Sequence, residues 1–200
     1  MSALKPHDPR LTAEMADILE PIIEEVIGIE GGFVEDPNDA GGATRWGTTE
    51  TVARADGYEG DMRDFPRDWA VSIYEKNYFL DPNFHLIAAH SVKIAKELFE
   101  IEVNCPPGVA AKFMQRALRV LNDPKGNGQV IYPDVDVDGR IGGDTAGALA
   151  AFLRYRGKAG EVVLLKMINA QQAVYYIERA EKRPANERFE YGWIANRVVI

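Results

Sequence analysis

Cysteine is nearly absent from this 200-residue chain, with Cys105 standing alone. A single thiol excludes an internal disulfide, so stability must come from packing. Pro106 and Pro107 follow it with no base nearby, which argues for a small buried apolar side chain rather than a nucleophile. Long apolar runs are missing too, and no stretch approaches the roughly 20 residues that a membrane-spanning helix requires. The opening segment, Met1 to Pro9, has neither an apolar core nor a cleavage site, so no signal peptide is visible. Histidine is scarce, and His7, His85 and His90 lack zinc-ligand spacing. There is no phosphate loop, no dinucleotide fingerprint and no Ser or Cys in a nucleophile elbow. These absences leave no metal, no cofactor and no membrane insertion to expect. Synthesis is expected in the cytoplasm, and a role outside it would need another exit route.

Charge is plentiful but uneven. The net charge is −8, with 23 basic and 31 acidic residues. Residues 1–109 hold 9 basic and 21 acidic side chains, a net of −12, and residues 110–200 hold 14 and 10, a net of +4. An acidic first half argues against a nucleic-acid role there. The mildly basic second half suits a solvated helical surface, or one that faces a wall polymer bearing carboxylates. Hydrophobic content of 46% and charged content of 27% are those of an ordinary globular protein with one good core, or one core and a smaller lobe.

The periodicity is mostly helical. Met15, Ile18, Leu19, Ile22, Ile23, Val26 and Ile27 make one apolar face of a helix over 12–29, which Thr12 caps and Pro21 kinks or splits. Gly31 and Gly32 end it. Residues 33–50 are rich in Gly, Asp, Asn, Pro and Thr and predict turns with a short hairpin. Helices are expected over 67–79, over 84–102 and from Ala110 to Leu121. A polar loop over 122–143 leads to a helix over 145–156 that Asp144 caps. An amphipathic helix over 160–181 follows, with Val163, Met167, Ala170, Val174 and Ile177 on its apolar face. Phe189, Tyr191, Trp193, Ile194 and Val198 predict a last short helix packed back on the body.

Chemistry concentrates where the first helix ends. Glu30 closes an apolar run at the negative end of the helix dipole, which disfavours its anion, and apolar Ile29 and Phe33 add desolvation in the same direction. A carboxyl so placed keeps its proton near neutrality, as a general acid must. Asp39 follows nine positions later in a glycine-rich turn, where aspartate also occurs for local reasons. Its spacing from Glu30 and the Thr44 hydroxyl five residues on suit the positioning of a water across a sugar ring. Two carboxyl groups held apart by a loop are what glycosidic cleavage needs. Trp46 is placed to stack on such a ring, or to serve as a core residue.

The stretch Glu30-Gly31-Gly32-Phe33, Asp36-Pro37-Asn38-Asp39-Ala40-Gly41-Gly42 and Thr44-Arg45-Trp46-Gly47 resembles the signature of the glycoside hydrolase family 108 N-acetylmuramidases. These are lysozyme-like endolysins, mostly from phages and prophages of Gram-negative bacteria. Ala95 to Phe99, running to Val103-Asn104, resembles the family's central helix. Ala111 to Leu118, Val137 to Gly142 with Thr145, and Gly192 to Val198 resemble a C-terminal peptidoglycan-binding segment. Phe33 stands where Tyr is usual, and Thr48 where Ile is usual.

The resemblance implies a mainly α, lysozyme-like fold with a small β-hairpin beside the active cleft. It implies a catalytic domain over 12–107 and a helical peptidoglycan-binding lobe over 108–200. The implied reaction is hydrolysis of the β-1,4 bond between N-acetylmuramic acid and N-acetylglucosamine, with Glu30 as proton donor and Asp39 and Thr44 in support. Trp46, Phe33, Tyr78 and Asn104 are the residues expected to touch the glycan strand. A monomer is expected, reaching the wall in the periplasm through a holin or a secretion apparatus. Two alternatives stand beside it. A lytic transglycosylase would use one glutamate and no water, and a non-catalytic protein would only bind the wall.

Asp134-Val135-Asp136-Val137-Asp138-Gly139 matches the start of a calcium-binding EF-hand loop, but Thr145 at the twelfth position offers no bidentate carboxylate. An Asp/Gly turn that feeds the next helix is the leading reading.

Overall fold

Helices dominate the described part of the computed structural model, which covers residues 10–30, 32–35, 42–123, 125–182, 191–192, 194–195 and 198. In chain order these are α1 (Ala13–Glu30), β1 (Thr44–Arg45), β2 (Thr48–Thr49), α2 (Glu50–Ala55) and a 3-10 turn over Met62–Asp64. Next come α3 (Arg67–Glu75), a π-helical turn over Lys76–Leu80, α4 (Phe84–Ala88), α5 (Val92–Asn104), α6 (Val109–Val120) and α7 (Gly143–Lys182). The expected mainly α class with one small antiparallel hairpin is what the structure has. The chain forms two compact units, Met1–Asp81 and Pro82–Ile200.

In the first unit, α1 begins as its sequence predicts, with the Met15 N–H donating to Thr12 Oγ1 at 3.3 Å. Leu19, Ile22, Ile23 and Ile27 are buried along one face. Pro21 does not split the helix. It lies on the exposed side, where water can serve the carbonyl freed by the missing N–H. Helix α1 packs on α3, and Arg67 at the start of α3 pairs with Glu24. The Trp69 indole N–H donates to Asp56 Oδ2 at 2.8 Å and so fixes α3 to the end of α2. Tyr58 meets Phe65 and Trp69 edge-on, with ring centroids at 4.9 and 5.4 Å. The helix expected over 67–79 changes pitch at Lys76 and ends as the π turn.

The second unit is helical throughout its regular parts. The single helix expected over 84–102 is two, because Ser91 adopts an extended conformation and caps α5, accepting from the Ile94 N–H at 3.1 Å. Glu102, buried near the end of α5, accepts from the Gly108 N–H at 2.9 Å where α6 begins. A carboxylate of the preceding helix thus does the work of a cap that Gly108 cannot do itself. Cys105 is buried, as its sequence context predicts. Helix α7 consists of two arms that meet at Gly157, whose φ of 60° and ψ of −153° break the helical path where two helices were expected.

Three expectations for this unit need correction. Asp144 is not a cap, since α7 starts at Gly143 and places Asp144 in its first turn. The apolar stripe predicted for the second arm faces outward: Val163, Val174 and Ile177 are exposed. The buried stripe is Gly160, Leu164, Ile168, Gln172, Tyr176 and Ala180, with Asn169 alongside Ile168. Buried Gln172 and Asn169 hide this face from a hydropathy pattern; their side-chain N–H groups find local acceptors, Gln172 in the Tyr176 hydroxyl and Asn169 in the Leu165 carbonyl, while Gln172 Oε1 is buried without a partner among the described residues. Tyr191, finally, is exposed rather than packed back, while the other two predicted aromatics, Phe189 and Trp193, lie outside the described residues.

Candidate active site

Thr44 and Arg45 pair with Thr49 and Thr48, which leaves Trp46 and Gly47 as a two-residue hairpin loop. Both have positive φ, 54° at Trp46 and 67° at Gly47, the signature of a type I′ turn that matches the strand twist. Glycine adopts this conformation freely, whereas a large aromatic residue does so rarely. Trp46 is held there by its own side chain, whose indole N–H donates to the Phe65 carbonyl at 3.0 Å. The Arg45 guanidinium lies 5.4 Å from the centroid of the same ring.

The end of α1 is tied to this hairpin. Val34 and Thr44 exchange both backbone hydrogen bonds, at 2.9 and 2.8 Å. Glu30 is the last residue of α1, four positions before Val34. Four residues span at most about 14 Å, so the main chain of Glu30 is confined to the neighbourhood of β1. Phe33, in the same linking segment, is 36% exposed and lies under the Arg63 guanidinium at 5.1 Å. Arg63 in turn pairs with Glu35 at 3.0 Å.

Tyr78 reaches the hairpin through a neighbour that sequence reading missed. Its ring stacks on Tyr74 at 5.4 Å, and the Tyr74 hydroxyl donates to the Gly47 carbonyl at 3.3 Å. Tyr78 lies within the π turn, a distortion that recurs at functional sites. The structure therefore gathers Phe33, Thr44, Trp46 and Tyr78 around one hairpin. Asp39 lies outside the described residues. Asn104 belongs to the second unit, at the end of α5, where its side-chain amide donates to the Glu100 carbonyl at 2.8 Å.

Residues 23–105 match the family model of glycosyl hydrolase 108, and residues 109–198 match that of a predicted peptidoglycan domain. The chain carries a glycosyl hydrolase 108 domain followed by a predicted peptidoglycan domain. It is a glycosidase-type enzyme with a lysozyme-like, peptidoglycan-hydrolysing function, and it carries a C-terminal domain for the same polymer. No curated protein matches the chain. Among solved structures it is similar to that of Brucella abortus SagA, with a TM-score of 0.60 and 19% identity over 92% of this chain and 90% of that one. At that identity the likeness speaks for the fold. The first family model extends past the boundary of the compact units at Asp81.

One departure of the glycosyl hydrolase 108 domain from the pattern that its signature resembles has a visible consequence. Thr48, where Ile is usual, is 3% exposed, and its hydroxyl has no hydrogen-bond partner among the described residues. The site is thus built for an apolar side chain. Arg45 carries a second orphan, a buried Nη1 without a partner among the described residues. The sequence signal for Arg45 was only its place inside the signature. Tyr74 had no signal beyond helical spacing from Tyr78. Among the described residues no group of three or more potential ligands could hold a metal ion.

Proposed function

We propose that the chain hydrolyses the β-1,4 bond between N-acetylmuramic acid and N-acetylglucosamine in peptidoglycan. Glu30 protonates the leaving oxygen, while Asp39, with Thr44, orients the attacking water or stabilises the developing oxocarbenium charge. Residues 12–107 act as the catalytic part and 108–200 as the wall-binding part of a monomer. It works in the periplasm, reached through a holin or a secretion apparatus.

The observation that carries this reading is the joining of the end of α1 to the hairpin through Val34 and Thr44. Glu30 sits at the negative pole of an 18-residue helix, where the dipole favours a retained proton. Within a glycosyl hydrolase 108 domain, an acid at the end of a helix whose following segment pairs with a hairpin bearing Trp46 in a left-handed conformation suits a site that protonates one sugar while an aromatic ring supports it. Trp46, Phe33 and Tyr78 are proposed to line the glycan path in the first unit, with Asn104 a further contact.

Zymography on purified sacculi with wild type and Glu30→Gln tests the proposal. Wild type should clear the sacculi and Glu30→Gln should lose clearance by at least about a thousandfold while keeping its far-ultraviolet dichroism. Lysis by the variant at the wild-type rate would refute the assignment. Mass analysis of the released muropeptides should show reducing ends. Products lighter by one water would identify a transglycosylase instead, and retention on sacculi without any release would leave only a binding protein.

A further inference from the structure

We propose that a cavity at the N-terminal end of α7 binds the stem peptide of peptidoglycan through the free ammonium group of its diamino acid. The inference rests on the assignment of residues 109–198 to a peptidoglycan domain and names the part of the polymer that this domain reads.

The cavity has a volume of about 680 Å³, in the range of small-ligand sites. Apolar Val135, Ile141, Ala148 and Ala151 are among its lining residues, together with Tyr132. The wall is an irregular segment that two buried amides of the α6 region hold rigid. Gln115 Nε2 donates to Asp138 Oδ1 and to the Arg140 carbonyl, both at 2.9 Å, and its Oε1 accepts from the Gly139 N–H at 2.9 Å. Asn122 donates to the Tyr132 carbonyl and to Asp134 Oδ1, both at 2.9 Å, and accepts from the Ile131 and Tyr132 N–H groups at 3.1 Å. The Tyr132 hydroxyl donates to the Leu118 carbonyl at 2.7 Å. Gly139 approaches Gly108 so closely that a Cβ on it would lie 3.0 Å from the Gly108 carbonyl oxygen. A loop fixed this thoroughly is preorganised, and a ligand would not have to order it.

The charge of the lining selects the ligand. Four carboxylates, Asp134, Asp136, Asp138 and Asp144, face one guanidinium, Arg140. Asp134 and Asp138 are spent on the loop itself through Asn122, Gln115 and the Arg140 N–H. Asp136 and Asp144 are exposed and take part in none of the hydrogen bonds or ion pairs among the described residues. Such a lining disfavours a purely anionic ligand such as phosphate and favours one that brings an ammonium group to it, while sugar rings carry no charge for it to meet. Of the components of peptidoglycan, the side-chain amine of the stem peptide's diamino acid is the cation, and the apolar lining residues suit the alanine methyl groups beside it. Cross-linking acylates that amine, so the site would read uncross-linked stems.

Calorimetric titration of the full chain with a purified disaccharide-tripeptide tests this, because that fragment contains no bond for the enzyme to cut. The free-amine fragment should bind, and the same fragment N-acetylated on the amine should bind at least about tenfold more weakly, as loss of a charge-assisted contact implies. Asp136→Asn and Asp144→Asn should each weaken the free-amine fragment and leave the acetylated one unchanged. Neither carboxylate holds the loop, so both variants should fold, which thermal melting checks. Equal binding of the two fragments, or wild-type affinity in both variants, overturns the proposal. So does a saturable stabilisation by calcium that Asp136→Asn removes, which would mark a cation site. Retention of the Glu30→Gln chain on sacculi, measured in parallel, separates the two levels. Retention without amine dependence sinks the cavity assignment alone, and loss of retention sinks the wall-binding reading beneath it.

Discussion

The indole N–H of Trp46 donates to the main-chain carbonyl of Phe65, nineteen residues along the chain, at 3.0 Å. This bond fastens the hairpin turn to the segment just after the 3-10 turn, and Phe65 is itself almost wholly buried under Tyr58. The Tyr74 hydroxyl holds the other half of the turn through Gly47. A two-stranded ribbon with two residues in each strand has almost no stability of its own. Its position is therefore set by side chains from the helical body.

Trp46→Phe keeps an aromatic face and removes the donor. It should lower stability by about 1 kcal/mol, or roughly 2–4 °C in Tm, through loss of a partly buried hydrogen bond. If the ring supports the glycan as proposed, Trp46→Phe should retain most of the lytic activity and Trp46→Ala should raise KM at least about tenfold. Thermal melting and turbidity assays on stripped cells check both.

Thr48→Val should stabilise the protein. The buried hydroxyl has no partner among the described residues, and an unsatisfied buried polar group costs about 1–3 kcal/mol. Replacing it with a methyl group of similar size removes that cost. A rise in the urea midpoint at unchanged m-value is expected, with unchanged lysis. A fall in the midpoint would mean that the hydroxyl is satisfied after all.

Much of this was legible before any coordinates. Apolar spacing located α1, α6 and both arms of α7, and the dense Gly, Asp and Thr of 33–50 located the hairpin. The misreadings share one cause, which is that local pattern cannot see tertiary partners. Ser91 broke a helix because a cap side chain outweighed continuing apolar periodicity. The wrong face of α7 was chosen because buried Gln172 and Asn169 read as polar, whereas Val163, Val174 and Ile177 read as core. In the site, residue chemistry and spacing pointed to Trp46 and Thr44, with the resemblance beside them, but Tyr74 entered only through a hydroxyl that reaches across 27 residues to Gly47. Glu102 as a cap for the next helix had no sequence signal, because the Pro-Pro turn that folds it back is not periodic.

Asp39→Asn separates the roles of the two acids. With Glu30 intact, loss of a charge that acts only as the oxocarbenium ion or the attacking water develops should lower kcat by at least about a hundredfold with little change in KM. Thr44→Val should cost less, about tenfold. Steady-state hydrolysis of soluble glycan oligomers measures both. Full activity in Asp39→Asn would remove the second acid from the mechanism and favour a route that does without activated water.

Glu97 gives the second unit a pH dependence of its own. It is buried on α5, and burial, reinforced by the nearby Glu100 charge, pushes its carboxyl up from 4.5 to about 7 against the opposing pull of Asn169 and Lys96. A carboxyl whose folded-state pKa is raised binds its proton more tightly when folded. The protonated form is therefore favourable at low pH, and stability is lost as pH rises from about 4.5 through about 7, by up to about 3 kcal/mol. Glu97→Gln mimics the protonated form at every pH. The variant should match wild type near pH 4 and exceed it progressively towards pH 8, so the gap between their urea midpoints should widen across that window. Taking the difference between the two proteins cancels the contribution of every other carboxylate, including Glu102, which burial also raises. Midpoint curves that run parallel from pH 4 to 8 would show that Glu97 carries its charge in the folded protein at no cost.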